Sequence, residues 1–234
     1  MAGQNVVRAD YDDIELLSHL IADACHDLPA SRWLVSSPGL RRRIFPRYFT
    51  LHVEHAMTDG VVYTTHARDA AALWHPVGDE PADPLPWSEQ RLAGVTRPWT
   101  SQFLAFETTL SSHHPAGVPH QYLAILAVRP GRQGRGIGSK LLRAHHATLD
   151  SGRVPAYAEA ASTLSRNLYL RHGYTERPGG SFRVPHGPIV WPMWREPAPA
   201  STLRDSGERP GQPLAEGTCG AGPGAAISAD RPGM

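Results

Sequence analysis

Lysine is almost missing from this chain. Of 23 basic residues only Lys140 is a lysine, and 22 acidic residues leave a formal net charge of +1. Without a strong basic field there is no electrostatic footprint for nucleic acid, and no nucleic-acid partner is expected. Cysteine is equally scarce: Cys25 and Cys219 lie far apart, which excludes a disulfide framework and a cysteine-built metal site. No run of eighteen apolar residues occurs, so neither a membrane-spanning helix nor a membrane partner is expected. The first five residues lack the basic start and apolar stretch of an export signal, which points to a cytoplasmic protein. No internal repeat is visible.

What remains is a chain of 234 residues, 41% hydrophobic, which is enough for one sizeable core. From Pro197 onward, six prolines and seven glycines occur in 38 residues with almost no large apolar side chains. Such a segment cannot offset its ordering entropy, so the chain divides into a domain over 1–196 and a disordered tail over 197–234. Within the domain, a short strand at Asn5 to Arg8 leads to a helix over Asp13 to Cys25, whose Ile14, Leu17, Leu20 and Ile21 share a face. A second helix is predicted over Gly39 to His55, interrupted or restarted near Pro46. Strands follow at Gly60 to Thr65 and Ala70 to His75 as a hairpin, then a proline-rich crossing from Pro76 to Pro86. A helix from Ser88 to Ser111, broken at Pro98, brings Trp99, Phe103, Leu104 and Phe106 to the core. This order, continued by the elements below and by strands within Ser181 to Arg195, gives a mixed sheet with helices on both faces.

The most informative stretch runs from Val128 to Lys140. Gln121 to Val128 is an apolar run of strand length stopped by Pro130, and Gly138 to Leu149 places Leu141, Leu142, His145 and Leu149 on one helical face. The loop between them delivers glycines and free amides to a helix N-terminus, a favourable place for an anion. The dinucleotide fingerprint fails, because the spacing is Gly134-x-Gly136-x-Gly138 and Pro130 sets the loop back from the strand. The P-loop fails too, since Lys140 comes two residues after the last glycine. An ordinary glycine-rich turn is the alternative. A second strand, Val154 to Ala160, and a short helix, Ser162 to His172, closed by Gly173 and followed by Tyr174, come about thirty residues later.

Gln133-Gly134-Arg135-Gly136-Ile137-Gly138 fits the pattern Gln/Arg-x-x-Gly-x-Gly/Ala after a strand ending Ala-Val-x-Pro, and Leu168-Tyr169-Leu170-Arg171-His172-Gly173-Tyr174 fits Leu-Tyr-x-x-x-Gly-Phe/Tyr. Together they resemble the coenzyme A loop and the following helix of the GCN5-related N-acetyltransferases (GNAT). The similarity extends to an actinobacterial, puromycin N-acetyltransferase-like branch through Ala70 to Pro76, His114-Pro115, Pro119-His120, and Gly187-Pro188 to Arg195. It spans about Val6 to Glu196. One departure stands out: the helix-start Asn of that branch is Ser165 here, with Asn167 displaced by two.

The resemblance implies a three-layer α+β fold whose mixed, mostly antiparallel sheet splays between the fourth and fifth strands to admit the pantetheine arm of acetyl-CoA. Backbone groups of Leu126, Ala127 and Val128 would line that arm, with the Val128 amide turned to the thioester oxygen. Amides of Gln133, Gly134, Arg135, Gly136, Ile137, Gly138 and Ser139 would take the pyrophosphate, Arg132, Arg135 and Lys140 would add charge, and Ser165 and Asn167 would supply a further contact. Tyr169 occupies the family's general-acid position, with a satisfied core tyrosine as the plain alternative. For the base, Glu159 matches a glutamate of the branch, His120 and Glu107 stand near the entrance to the first core strand, and a water chain is a further candidate. Trp33 and Tyr48 are candidates for an acceptor wall.

His113-His114 and His145-His146 invite a metal reading, but adjacent helical histidines point about 100° apart and do not converge on one ion, so no metal is expected. His145-His146 is read as part core, part solvated face. The implied activity is acetyl transfer to a primary amine of a small molecule, such as an antibiotic or other natural product, in a ternary complex without an acyl-enzyme. The protein would act as a monomer or homodimer. A non-catalytic acyl-CoA sensor and a protein or peptide N-acetyltransferase are the competing readings.

Overall fold

The structure, a computed structural model, describes residues 5–79 and 87–199. Most of the expected proline-rich crossing, and the expected tail from residue 200 on, lie outside the described residues. The first half of the chain runs β1 (Val6–Arg8), α1 (Ile14–Cys25), α2 (Pro29–Leu34), α3 (Pro38–Asp59), β2 (Val61–Thr65), β3 (Ala70–Val77), α4 (Glu89–Thr96) and α5 (Thr100–His113). The second runs β4 (His120–Val128), α6 (Ile137–Gly152), β5 (Ala156–Ala160), α7 (Thr163–Arg171), β6 (Thr175–Glu176), β7 (Phe182–Arg183) and β8 (Ile189–Arg195).

Local chemistry sets where the helices start. Pro29 and Pro38 open α2 and α3 at a position whose N–H has no helical partner anyway. Ser88 caps α4, and Ser162 with Ser165 forms a capping box on α7. Two features differ from the sequence-based expectation. The helix α2 was not anticipated, although Pro29 at its first turn is a start signal. The helix α3 is continuous for 22 residues through Pro46, where an interruption was expected. Proline removes one bond, to the carbonyl of Arg42, whereas the stripe Ile44, Phe45, Tyr48 and Phe49 is buried on both sides of it, and that tertiary burial outweighs the loss.

The strands form one sheet in the order β1-β2-β3-β4-β5-β8-β6, with β7 beside β8. Every pairing is antiparallel except β4 with β5. That parallel pairing covers only Gln121 to Leu123 opposite Ala156 to Ala158, after which the two strands part. The sheet therefore splays between its fourth and fifth strands. One face carries α1, α3 and α5 over Ala71, Leu73 and Ala127; the other carries α6 and α7 over Ala70, Ala72, Trp74 and Leu123. The alternation along β3 explains its apolar run from Ala70 to Trp74, since it is buried on both faces.

His145 and His146 are both buried, at 5% exposure each, which corrects the expectation of a half-solvated pair. His145 lies against Trp74 at a ring separation of 4.3 Å, and His146 Nε2 lies 3.0 Å from the Tyr174 hydroxyl. Burial holds His145 at about 4 and His146 at about 3, so both are neutral near pH 7.

Candidate active site

The gap between β4 and β5 begins at a β-bulge. Trp74 on β3 pairs with Leu123 and Leu73 pairs with Ile125, so Ala124 is an extra residue on β4. One inserted residue reverses which backbone groups face which neighbour. Before the bulge, the Gln121 N–H donates to the Pro155 carbonyl on the β5 side at 2.9 Å; beyond it, the Arg129 N–H donates to the Asp69 carbonyl on the β3 side at 2.9 Å. Odd-numbered amides thus change sides at Ala124, and the amides of Leu126 and Val128 face the gap. The side chains follow the same reversal, since Leu123, Leu126 and Val128 all join the core under α6 whereas Ala127 joins the opposite one.

The glycine-arginine loop stands at the open end of that gap. Gly134 and Gly136 have φ of +72° and +74°, a region that costs other residues energy, and Gly136 is the N-cap of α6. The first bond closing the helix runs from Lys140 N–H to Gly136 C=O, so the amides of Ile137, Gly138 and Ser139 have no partner within it. A Cβ placed on Gly134 or Gly136 would meet nothing within 4 Å, so open space lies above the loop. At Gly138 a Cβ would lie 3.6 to 3.7 Å from Leu168, Leu126 and Val128, which brings the helix start against β4 and α7. Two side chains brace the loop from below. Arg132 Nε donates to Asp69 at 3.1 Å and Gln133 Nε2 donates to the Val128 carbonyl at 3.2 Å.

On the other side of the sheet lies a cavity of about 490 Å³. Its walls are apolar and aromatic, including Phe45, Phe49, Trp87 and Phe106, and two carboxylates, Glu107 and Glu159, stand among them. Glu159 accepts the Tyr122 hydroxyl at 2.7 Å and the Tyr157 hydroxyl at 3.0 Å. Burial pushes its pKa up to about 7, with Glu107 adding to the rise and the two hydroxyls opposing it. Glu107 accepts the Tyr48 hydroxyl and has His52 Nε2 at 3.6 Å. Cys25 also lines the cavity, but burial lifts its thiol to about 12, so it holds its proton at neutral pH.

The sequence-predicted residues fall in three places. Glu159 and Tyr48 line the cavity. Tyr169 is buried beneath α7 beside Tyr174, and burial together with Glu159 raises its hydroxyl well above the ordinary tyrosine value. His120 is buried behind the wall residue His114, with Nε2 3.0 Å from that ring and Nδ1 2.7 Å from the Val118 carbonyl. Trp33 is not among the wall residues; it packs against the core of α1 and α3. Ser165 spends its hydroxyl on the capping box of its own helix, and Asn167 is exposed. Ser139 Oγ lies 2.9 Å from His172 Nε2. Sequence reasoning missed Tyr122, Tyr157 and the bulge. Tyr157 and Glu159 are two apart on one strand and therefore share a face, a signal that was available; nothing in the residues around Ala124 marks the bulge.

Residues 103–176, from α5 to β6, match the family model of the acetyltransferase (GNAT) domain. Among solved structures, the chain is similar to a histone acetyltransferase HPA2 and related acetyltransferase from Corynebacterium glutamicum, with 23% identity and a TM-score of 0.62 over 84% of this chain and 98% of that one. It is also similar to arylalkylamine N-acetyltransferase 2 from Aedes aegypti, with 14% identity and a TM-score of 0.57 over 83% and 99%. A third similar structure is an agmatine N-acetyltransferase, with 15% identity and a TM-score of 0.53 over 81% and 97%. With its β4–β5 splay and the loop that follows, the chain has the GNAT fold, and its residues 103–176 are similar to the acetyltransferase (GNAT) domain.

Proposed function

We propose that the protein is an acetyl-CoA-dependent N-acetyltransferase acting on the primary amine of a small molecule, by direct transfer within a ternary complex. The observation that carries this reading is the splay, with a glycine-lined set of free amides at one end and a carboxylate of raised pKa in an apolar cavity at the other. The residues fit an acyl carrier with a diphosphate: the amides of Ile137, Gly138 and Ser139 lack helical partners, and open space lies above Gly134 and Gly136. When bound, acetyl-CoA supplies an acetyl group activated as a thioester.

This chain's own groups do the rest. The Leu126 and Val128 amides line the gap as donors, and an oxygen gaining negative charge beside Val128 would be stabilised by that amide. Glu159, titrating near 7, takes a proton from the acceptor nitrogen. Tyr169 keeps its proton at neutral pH and is the group from which a departing sulfur would recover one. Cys25, protonated and buried, is no nucleophile, which favours direct transfer over an acyl-enzyme. Small amines appear in the names of two similar structures, those acting on arylalkylamine and agmatine. The segments Ala70 to Pro76 and Gly187 to Arg195 support the puromycin-type branch, and with it an amine-bearing natural product as acceptor.

A thiol-release assay over a panel of amines tests the proposal, after calorimetry has established coenzyme A binding. Thiol release that requires both acetyl-CoA and an amine is the expected result. Saturable coenzyme A binding without release for any amine would favour the sensor reading, and acetylation of peptides alone would favour a protein N-acetyltransferase.

A further inference from the structure

The acceptor cavity has a one-sided charge. Among the described residues lining it are two carboxylates and no lysine or arginine. Of its histidines, burial holds His75 and His114 at about 3 and lowers His55, so these three rings are neutral near pH 7, while His52 stands 3.6 Å from Glu107. The carboxylates come from different elements, Glu107 from α5 and Glu159 from β5, and each is fixed by tyrosine hydroxyls. Tyr48 on α3 holds Glu107; Tyr122 on β4 and Tyr157 on β5 hold Glu159. Glu107 acts on Glu159, contributing to its raised pKa. Glu159 in turn contributes to the raised pKa of Tyr169 on α7.

A group held this way in an apolar cavity does more than fill space. An ammonium entering the cavity exchanges its water for carboxyl oxygens, whereas an anion meets the Glu107 and Glu159 carboxyl groups and, among the described lining residues, no lysine or arginine. We propose that Glu107, positioned by Tyr48, is a second carboxylate of the acceptor site, and that with Glu159 it restricts the cavity to apolar amines carrying no anionic group. Amino acids and phosphorylated amines are thereby excluded, and amines whose carboxyl is absent, esterified or amidated are admitted. The inference rests on the N-acetyltransferase reading for the identity of the site and adds the class of acceptor.

The expected discrimination is large. A ligand carboxylate placed roughly 6 Å from Glu107 at an effective dielectric constant of about 20 is disfavoured by about a hundredfold. The test uses phenethylamine, L-phenylalaninamide and L-phenylalanine, which share a ring and an amine while only the last adds an anion. Binding of each to the full-length protein is measured by calorimetry, and kcat/KM by thiol release. Phenylalaninamide should outperform phenylalanine by about a hundredfold. Glu107→Gln removes the charge that sets this figure and should bring the gap to within about threefold, and should move the acid limb of the phenethylamine kcat profile to lower pH, a shift that loss of packing alone would not produce.

Phenylalanine binding within threefold of its amide overturns the proposal, as does a Glu107→Gln variant that leaves both the gap and the acid limb unchanged, or the lack of saturable binding for phenethylamine. If that variant does not fold, the comparison in the unaltered protein still decides the exclusion of anions. Discriminating binding without thiol release sinks the N-acetyltransferase reading and leaves this inference standing. Thiol release without discrimination does the reverse.

Discussion

The pH dependence of turnover examines the chemistry most directly. Glu159 must be ionised to accept a proton, and its pKa is raised from the ordinary 4.5 to about 7, first by burial and then by Glu107. The active form therefore accumulates as pH rises. A base of pKa about 7 is ionised in roughly one molecule in eleven at pH 6 and ten in eleven at pH 8, so kcat should rise about tenfold over that interval. A solvated carboxylate titrating at its ordinary value would be ionised throughout and leave kcat flat. The assay is thiol release at saturating amine and acetyl-CoA from about pH 5.5 to 8.5, because kcat then reports the ternary complex rather than the free amine. Glu159→Gln should lower kcat by about 10² to 10⁴ and remove the acid limb. A flat profile between pH 6 and 8, or a Glu159→Gln variant keeping both rate and limb, would refute the assignment of the base.

Four further outcomes follow from the fold. Gly136→Ala forces a left-handed φ of +74° on a residue with a side chain and should destabilise the protein by about 1 to 2 kcal/mol in thermal melts. Gly138→Ala, helical and with only ordinary contacts from 3.6 Å outward, should hold or raise the melting temperature while weakening coenzyme A in calorimetry; an unchanged affinity would show that the carrier keeps its distance from the helix start. His75, His114 and His146 at about 3 and His145 at about 4 resist protonation in the folded state, whereas the unfolded chain protonates near 6.5. Stability should then fall as pH drops from 6.5 towards 4, by up to about 1.4 kcal/mol per pH unit per histidine, and a urea midpoint constant across that window would contradict their burial as neutral rings. Pro46→Ala restores an amide opposite the Arg42 carbonyl in the middle of α3 and should raise stability by about 1 to 3 kcal/mol in urea unfolding.

Much of the scaffold was legible because it is written locally. The apolar run before Pro130, the glycines of the loop and the leucine face of α6 each follow from dihedral preference or periodicity within a few residues. The capping box of α7 and the stop at Gly173, with φ of +83°, are equally local. Pro46 shows the limit of such reasoning, since its local cost is real and buried aromatic neighbours override it. Glu159 was visible as a candidate on its strand, but its partners were not: Tyr122 reaches it across the β4–β5 pair, and Glu107 meets it from α5, 52 positions earlier in the chain.

The sequence by itself determined the glycine-rich turn, the helix behind it and, apart from α2, the order of the main strands and helices, because each depends on neighbours along the chain. Tertiary structure alone decided which amides of β4 face the gap, through one extra residue at Ala124, and which acids share a cavity. Strand register and burial are properties of surfaces brought together from distant segments, so no short stretch of residues encodes them.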